Sequence, residues 1–215
     1  MLPANYITNR GVTPGSGRRI LPSAIVSDVF TNPPAADGDG ISASHLGAAA
    51  AGTRNQTIGG ALATNGVAVL TPARNVVIVV THSSSVVAMS GTIYGKRFGR
   101  EVTEAWSVTA GTASKTFTGK KAFDSVHRIT ETVAADASAN TIISGTGVVF
   151  GVSAPISVAS AVKEVVDGSV VTNGVLVAAS TSAAADALGT YAPNTAPDGA
   201  HDYALWYISD RPEDG

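Results

Sequence analysis

Four histidines, His45, His82, His127 and His201, are the side chains best suited to acid–base or metal chemistry near neutral pH. No two stand at metal-ligand spacing, and there is no cysteine to complete a set. Each is expected as a surface or half-buried residue, with His201-Asp202 as a hydrogen-bonded pair and no more. Asp37-Gly38-Asp39-Gly40 suggests a calcium loop. Counting from Asp37, however, the fifth and twelfth positions, which should supply an oxygen ligand and a glutamate, are Ile41 and Ala48. Gly38-x-Gly40-x-x-Ala43 fits a loose dinucleotide fingerprint, but Asn-Pro-Pro-Ala-Ala-Asp precedes it where a strand is required. The glycines of Gly11 to Gly17 lack the Gly-Lys-Ser/Thr ending of a phosphate loop, and no G-x-S-x-G elbow occurs. The residues therefore assign no catalytic, cofactor-binding or metal site. No cofactor and no enzymatic activity are expected.

A second kind of chemistry is nucleic-acid binding. Lys96, Arg97, Arg100, Lys115, Lys120 and Lys121 gather around Tyr94, Phe98, Trp106, Phe117 and Phe123. Bases stack on aromatic rings and phosphates seek cations. Against this, Glu101, Glu104, Asp124, Glu131 and Asp136 share the region, and the formal net charge is −2. The aromatics are expected as core on strand faces, the lysines at wet strand ends, and no direct nucleic-acid partner is expected.

These residues sit in a chain built for strands. Valine outnumbers leucine 26 to 8, and branched side chains suit a pleated surface. In Arg100 to Thr109, Val102, Glu104, Trp106 and Val108 share one face, so this is a strand with Trp106 inward and Glu104 expected near its wet end. Val67–Leu70 and Val76–Val80 read as two strands joined by a turn at Thr71-Pro72-Ala73-Arg74-Asn75. The second is apolar on both faces, which means burial on both sides or an interface on the outer one. Ser85–Tyr94, Thr141–Ile143, Val148–Phe150, Ile156–Val166, Ser169–Ala178 and Tyr203–Ile208 are further strands. Asp167-Gly168 is a two-residue hairpin turn, and Ser42–Ala51 is a candidate short helix ended by Gly52. Ser180–Leu188 is a short helix or a loop. Eight to ten short strands without alternating helices predict an all-β fold, a β-sandwich or jelly-roll-like domain over residues 61–210. Residues 1–60 read as an extended N-terminal arm and loops, and 211–215 as an exposed tail.

Only 14% of residues are charged, and small residues fill the difference, a surface suited either to close packing against another protein or simply to a compact soluble domain. The N-terminus lacks a charged start followed by an apolar core, so no secretory signal is expected, and no apolar run reaches membrane-spanning length. In the first 34 residues, Arg10, Arg18 and Arg19 flank a Gly/Pro-rich stretch and precede Ile20, Leu21, Ile25 and Val26. Such a segment either docks along its own domain or reaches a neighbouring subunit.

The order of strand, glycine turn, Val-Thr-Glu strand (102–104), Ala-Gly turn (110–111) and Gly119-Lys120-Lys121-Ala122-Phe123 resembles the β-sandwich decoration (cement) proteins of tailed-bacteriophage capsids. Gly189-Thr190-Tyr191-Ala192-Pro193 and Tyr203-Ala204-Leu205-Trp206-Tyr207 add to that resemblance, which spans roughly Gly91 to Ile208. It implies a virion structural protein, made in the bacterial host cytoplasm and placed on the capsid exterior. Such a protein stabilises the shell by binding between major capsid protein subunits and forms a homodimer or homotrimer. Arg10, Arg18, Arg19, Ile20, Leu21, Ile25 and Val26 are the expected contacts. The alternatives are a head–tail or tail component, and a carbohydrate-binding sandwich using Tyr191, Tyr203, Trp206 and Tyr207 beside Asp198 and Asp202.

Overall fold

The computed structural model describes residues 23–210, and among them there is no helix. In chain order the strands are β1 (Ser23–Phe30), β2 (Ser42–Leu46), β3 (Gly52–Asn55), β4 (Ala63–Thr64), β5 (Val67–Thr81), β6 (Met89–Arg97) and β7 (Arg100–Val108). They continue as β8 (Ser114–Val133), β9 (Thr141–Gly151), β10 (Ala161–Val166), β11 (Ser169–Val170), β12 (Val175–Val177), β13 (Thr190–Ala192) and β14 (Tyr203–Asp210). A four-stranded sheet runs β1-β14-β10-β11. A larger, curled sheet runs β12-β13-β9-β5-β8-β6-β7, with β2 on β9, β3 on β8 and β4 on β5. The fold is all-β, a sandwich of antiparallel sheets, as the strand-rich sequence predicts.

Two cores follow from two packings. Inside the curl of the larger sheet lie Val76, Ile78, Met89, Ile93, Trp106, Phe123, Val126 and Ile129. Between the sheets lie Phe30, Tyr203, Leu205 and Tyr207 from the smaller one, facing Phe150, Leu176 and Tyr191. The Phe30 and Phe150 rings stack at 4.8 Å, with Tyr191 at 6.0 Å from Phe30 and Tyr203 edge-on to Phe150 at 6.2 Å. Such aromatic pairs add to the burial energy of the rings themselves.

Several expectations change. The turn expected at 71–75 is instead an irregular passage inside one long strand. Val69 faces Ser125 of β8 while Arg74 faces Phe123, so β5 carries extra residues there. Pro72, which has no N–H for a ladder, occupies that passage. The side chain of Asn75 replaces missing ladder bonds: its Nδ2 donates to Gly119 O at 3.0 Å, and its Oδ1 accepts from the Val149 N–H at 3.1 Å. Residues 42–51 form no helix. Ser42–Leu46 pairs with the edge of β9, where its backbone gains partners that a short isolated helix cannot supply. The strand expected from Ile156 begins only at Ala161, because the Ile156 N–H and C=O are bound by Leu188 and Ala179. Residues 180–188 are a loop. The Asp167-Gly168 turn forms as expected, with φ of 49° and 81° at its two central residues.

The division expected at residue 60 is not where the sheets divide. β1 is laid along β14, β2 along β9 and β3 along β8, so residues 23–60 belong to the sandwich body.

The two short strands expected around Ser144-Gly145-Thr146-Gly147 are one strand, β9. Glycine lies inside it because other chain segments press on it. A Cβ on Gly145 would stand 1.8 Å from Asp37 O, and one on Gly147 would stand 2.4 Å from the Asn75 amide oxygen. Gly145→Ala should therefore destabilise the protein by about 3 kcal/mol, the upper range of overpacking costs. Gly38→Ala, whose new Cβ meets nothing closer than 3.9 Å, should be near neutral. Urea unfolding of the two variants checks this, and equal stabilities would refute the contact.

A candidate interaction face on the smaller sheet

The smaller sheet presents an apolar face to solvent. Directly opposed residues share a face of a sheet, so the pairing registers define its outer rows. One row is Ile25 and Ile208. The next is Ser27, Trp206 and Lys163. The third is Val29, Ala204, Val165 and Val170. Ile25 is 65% exposed, Val29 67% and Val170 67%, with Trp206 and Ile208 half-buried. Lys163 lays its Nζ 5.2 Å from the Trp206 ring centre, so the one cation of the face covers its one aromatic. Exposed apolar residues scattered singly need no explanation, but a contiguous set on one sheet face marks an interaction site.

The inner face of the same strands explains why the outer one is so regular. Asp28 turns inward and accepts from the Ser153 N–H at 2.9 Å and from the Tyr207 hydroxyl at 3.1 Å. Glu164, fully buried, accepts from the backbone N–H of Gly174 and of Asn194. Each carboxylate satisfies loop N–H groups that would otherwise be orphaned, and this locks the strand phase.

Of the residues expected at an interface, Arg10, Arg18, Arg19, Ile20 and Leu21 lie outside the described residues. Ile25 is on the outer face. Val26 is not: strand alternation turns it inward, partly buried against the second core. Sequence reasoning did not find Val29, Val165, Val170 and Ile208, and it singled out Trp206 only for the carbohydrate-binding alternative. The available signal was that Tyr203–Ile208 is apolar on both faces, the same pattern noted for Val76–Val80. Tyr191, Tyr203 and Tyr207 are buried core, which leaves Trp206 as the surface aromatic of that group.

The basic and aromatic residues around 94–123 do not form a common surface. Trp106 and Phe123 are core, Arg97 is buried with one Nη donating to Val152 O, and Phe98 is exposed at the β6–β7 turn. Tyr94 lies under the Arg128 guanidinium at 3.7 Å. Glu104, expected at a wet strand end, is buried, and it accepts the backbone N–H of Lys120 at 2.6 Å and of Lys121 at 3.4 Å. Burial pushes its pKa up despite those bonds. A carboxylate is tolerated there because β8 leaves those two N–H groups without ladder partners.

Arg74 is 2% exposed and has no carboxylate partner among the described residues. It donates to Pro34 O, to Ala35 O at 3.2 Å and to Gly147 O at 3.4 Å, and its Cζ lies 5.0 Å from the centre of the Phe150 ring. Burial lowers its pKa to about 10. It clamps the 34–38 loop onto β9, beside a cavity of about 400 Å³ that Asp37 and Thr146 also line.

The histidines separate into four local roles. Nδ1 of His82 accepts from the backbone N–H of Ser84 and Ser85. His127 Nε2 lies 3.8 Å from Glu101. His45 Nε2 lies 3.1 Å from Glu131, which Arg54 also binds. Burial raises the Glu131 pKa, but the bonds from His45 and Arg54 outweigh it and hold the carboxyl below its usual range. His201 Nδ1 meets Asp167 at 2.6 Å, and its Nε2 lies 3.4 Å from Asp198 rather than beside Asp202. The N–H of Asp202 donates instead to Asp167 Oδ1 at 2.8 Å, tying the β10–β11 turn to the start of β14. Asp39 N–H turns back onto Asp37 Oδ1 at 3.3 Å. Among the described residues, no three His, Asp or Glu side chains converge as a metal site.

The His201 cluster gives a pH signature. Its hydrogen bond to Asp167, then the charge of Asp198, raises the His201 pKa above 6.5, while both aspartates are lowered below 3.8. The histidine contribution is full below about pH 6.5 and is lost as pH rises through the raised value. The aspartate contribution is lost as pH falls through the lowered values. His201→Gln should thus lower the melting temperature most near about pH 5 to 6, with the gap closing by about pH 9. A gap that stays constant across that range would show that the cluster adds nothing. In comparisons with protein-family models, with curated proteins and with solved structures, nothing matched this chain.

Proposed function

We propose that this chain is a virion structural protein of a tailed bacteriophage, decorating the capsid and stabilising it by binding between major capsid protein subunits. The observation that carries the reading is the apolar outer face of β1, β14, β10 and β11. Ile25, Val29 and Val170 stand exposed in its regular cross-strand rows. The buried carboxylates Asp28, Glu104, Glu164 and Asp186 accept backbone N–H groups of loops and of interruptions in the ladder. The family resemblance of Gly91 to Ile208 gives the partner its name.

The mechanism is mechanical. A protein that binds the assembled shell and not the free subunit stabilises the shell by mass action, against heat and against internal pressure. Trp206 sits at the middle of the face, where a half-buried aromatic makes the strongest anchor. Ile25 and Val29 extend the apolar area to the sheet edge.

Purified protein should co-sediment with empty, expanded capsids of its phage and not with unassembled capsid protein. Val170→Asp combined with Trp206→Ala should weaken that binding by about tenfold or more, the effect of losing roughly 1.4 kcal/mol at an interface. Deletion of residues 1–22 tests the arm. A cut at residue 30 would instead remove β1 and damage the sheet. Binding to neither species sinks the decoration reading, and a large ring in solution would then favour the tail component.

A further inference from the structure

Strand β1 is the outermost strand of the smaller sheet. β14 satisfies one side of its backbone, and among the described residues no strand pairs with the other. An open edge is a template for another chain unless brevity, proline, charge or a bulge protects it. The strands at the other ends of the two strand orders are protected. β7 carries Arg100, Glu101 and the inward Glu104, while β11 and β12 have two and three residues. β1 runs eight residues in unbroken register with β14 and contains no proline, lysine or arginine. The charge of Asp28 is turned inward and engaged by Ser153 and Tyr207.

We propose that β1 pairs antiparallel with β1 of a second copy, about a two-fold axis at Ser27, joining two smaller sheets into one of eight strands. The register follows from the side chains. Opposed residues must share a face, which restricts the choice to registers that differ by two residues. Centring the axis on Ser27 sets Ile25 against the partner's Val29 and Val29 against the partner's Ile25, with Val26 opposite Asp28. Centring it on Asp28 brings two carboxylates face to face, which is destabilising. Centring it on Val26 sets Ile25 against Ser27 and Val29 against Ser23, so neither apolar side chain meets another. Every such register is two-fold symmetric, but the Ser27 register alone sets both exposed apolar residues, Ile25 and Val29, against each other. It makes the two apolar outer faces continuous.

The inference deepens the structural-protein reading by stating how the protein would associate with itself, and it is measured without capsids. The chain has no cysteine, so single cysteines report unambiguously. Ser27 is exposed, so Ser27→Cys should leave the fold intact. Its sulfur would face its own copy across the axis, at the roughly 4.5–5.5 Å Cα separation of opposed residues that a disulfide spans. Val29→Cys would lie about 13 Å from its own copy, four residues along the seam.

Sedimentation of the wild-type protein should give the mass of two chains. Ser27→Cys should form a covalent dimer on mild oxidation at least about tenfold faster than Val29→Cys or Ile25→Cys alone, while a mixture of the latter two cross-links to each other. A monomer with no Ser27 cross-link overturns the proposal, and so does equal cross-linking of all three variants. A Ser27 cross-link that appears only after deletion of residues 1–22 also overturns it, because the chain's own segment would then cover the edge. The Val170→Asp, Trp206→Ala variant leaves β1 intact. Loss of shell binding with cross-linking retained therefore separates the two readings.

Discussion

Strand β9 is the constraint on which the rest of the molecule depends. Its first half places Ile142 in the core of the curled sheet, and its second half places Phe150 in the core between the sheets. One continuous backbone thus serves two hydrophobic clusters that would otherwise be independent. Continuity demands that neighbouring segments approach without side chains between them, and Gly145 and Gly147 permit this. The Asp37 loop lies on the first and the Asn75 amide on the second. A side chain at Gly145 would separate the 34–40 loop from the sheet that supports it, and one at Gly147 would displace the Asn75 amide.

The irregular places in the ladder are repaired by buried polar side chains rather than by regular pairing. Asn75 bridges β8 and β9 where β5 carries extra residues. Glu104 takes the free N–H groups of Lys120 and Lys121, and Asp186 takes that of Ala122. Arg74 gathers two loop carbonyls, of Pro34 and Ala35, and that of Gly147 in β9. In each case a buried polar group is offset by hydrogen bonds that no backbone partner supplies, and each bond fixes one strand position against slippage. The low charge content of the chain fits this economy: many of the charges that it does have are structural, which leaves an apolar outer face on the smaller sheet.

That face and the edge beside it differ from the rest of the surface in one physical respect. The long edge strand of the larger sheet, β7, carries Arg100 and Glu101. On β1, Ile25 and Val29 face solvent on a strand whose free edge has neither a proline nor a basic residue. A monomeric protein gains nothing from such an arrangement, whereas a protein built to assemble gains both contact area and strand pairing from it.

Much of the fold was legible in the sequence because strand periodicity is a local property. The alternation from Val102 to Val108, the Asp167-Gly168 turn and the aromatic strand at 203–208 all stand where side-chain pattern and turn chemistry put them. What failed did so where a distant segment decided. Residues 42–46 became a strand because β9 offered an edge, and 67–81 ran on as one strand because Asn75 bridged its interruption. Glu104 was buried because β8 had unpaired N–H groups to give. The candidate face was half legible. Ile25 could be singled out from the chain, but its neighbour Val26 turned inward, and Trp206, Val165 and Val170 joined Ile25 only through registers between strands far apart in sequence. By itself the sequence determined the strand content, the turns and the scarcity of charge, since these depend on neighbours along the chain. Only the tertiary structure decided which apolar residues share an exposed face, because hydrogen-bond register between remote strands sets that, and no local pattern encodes it.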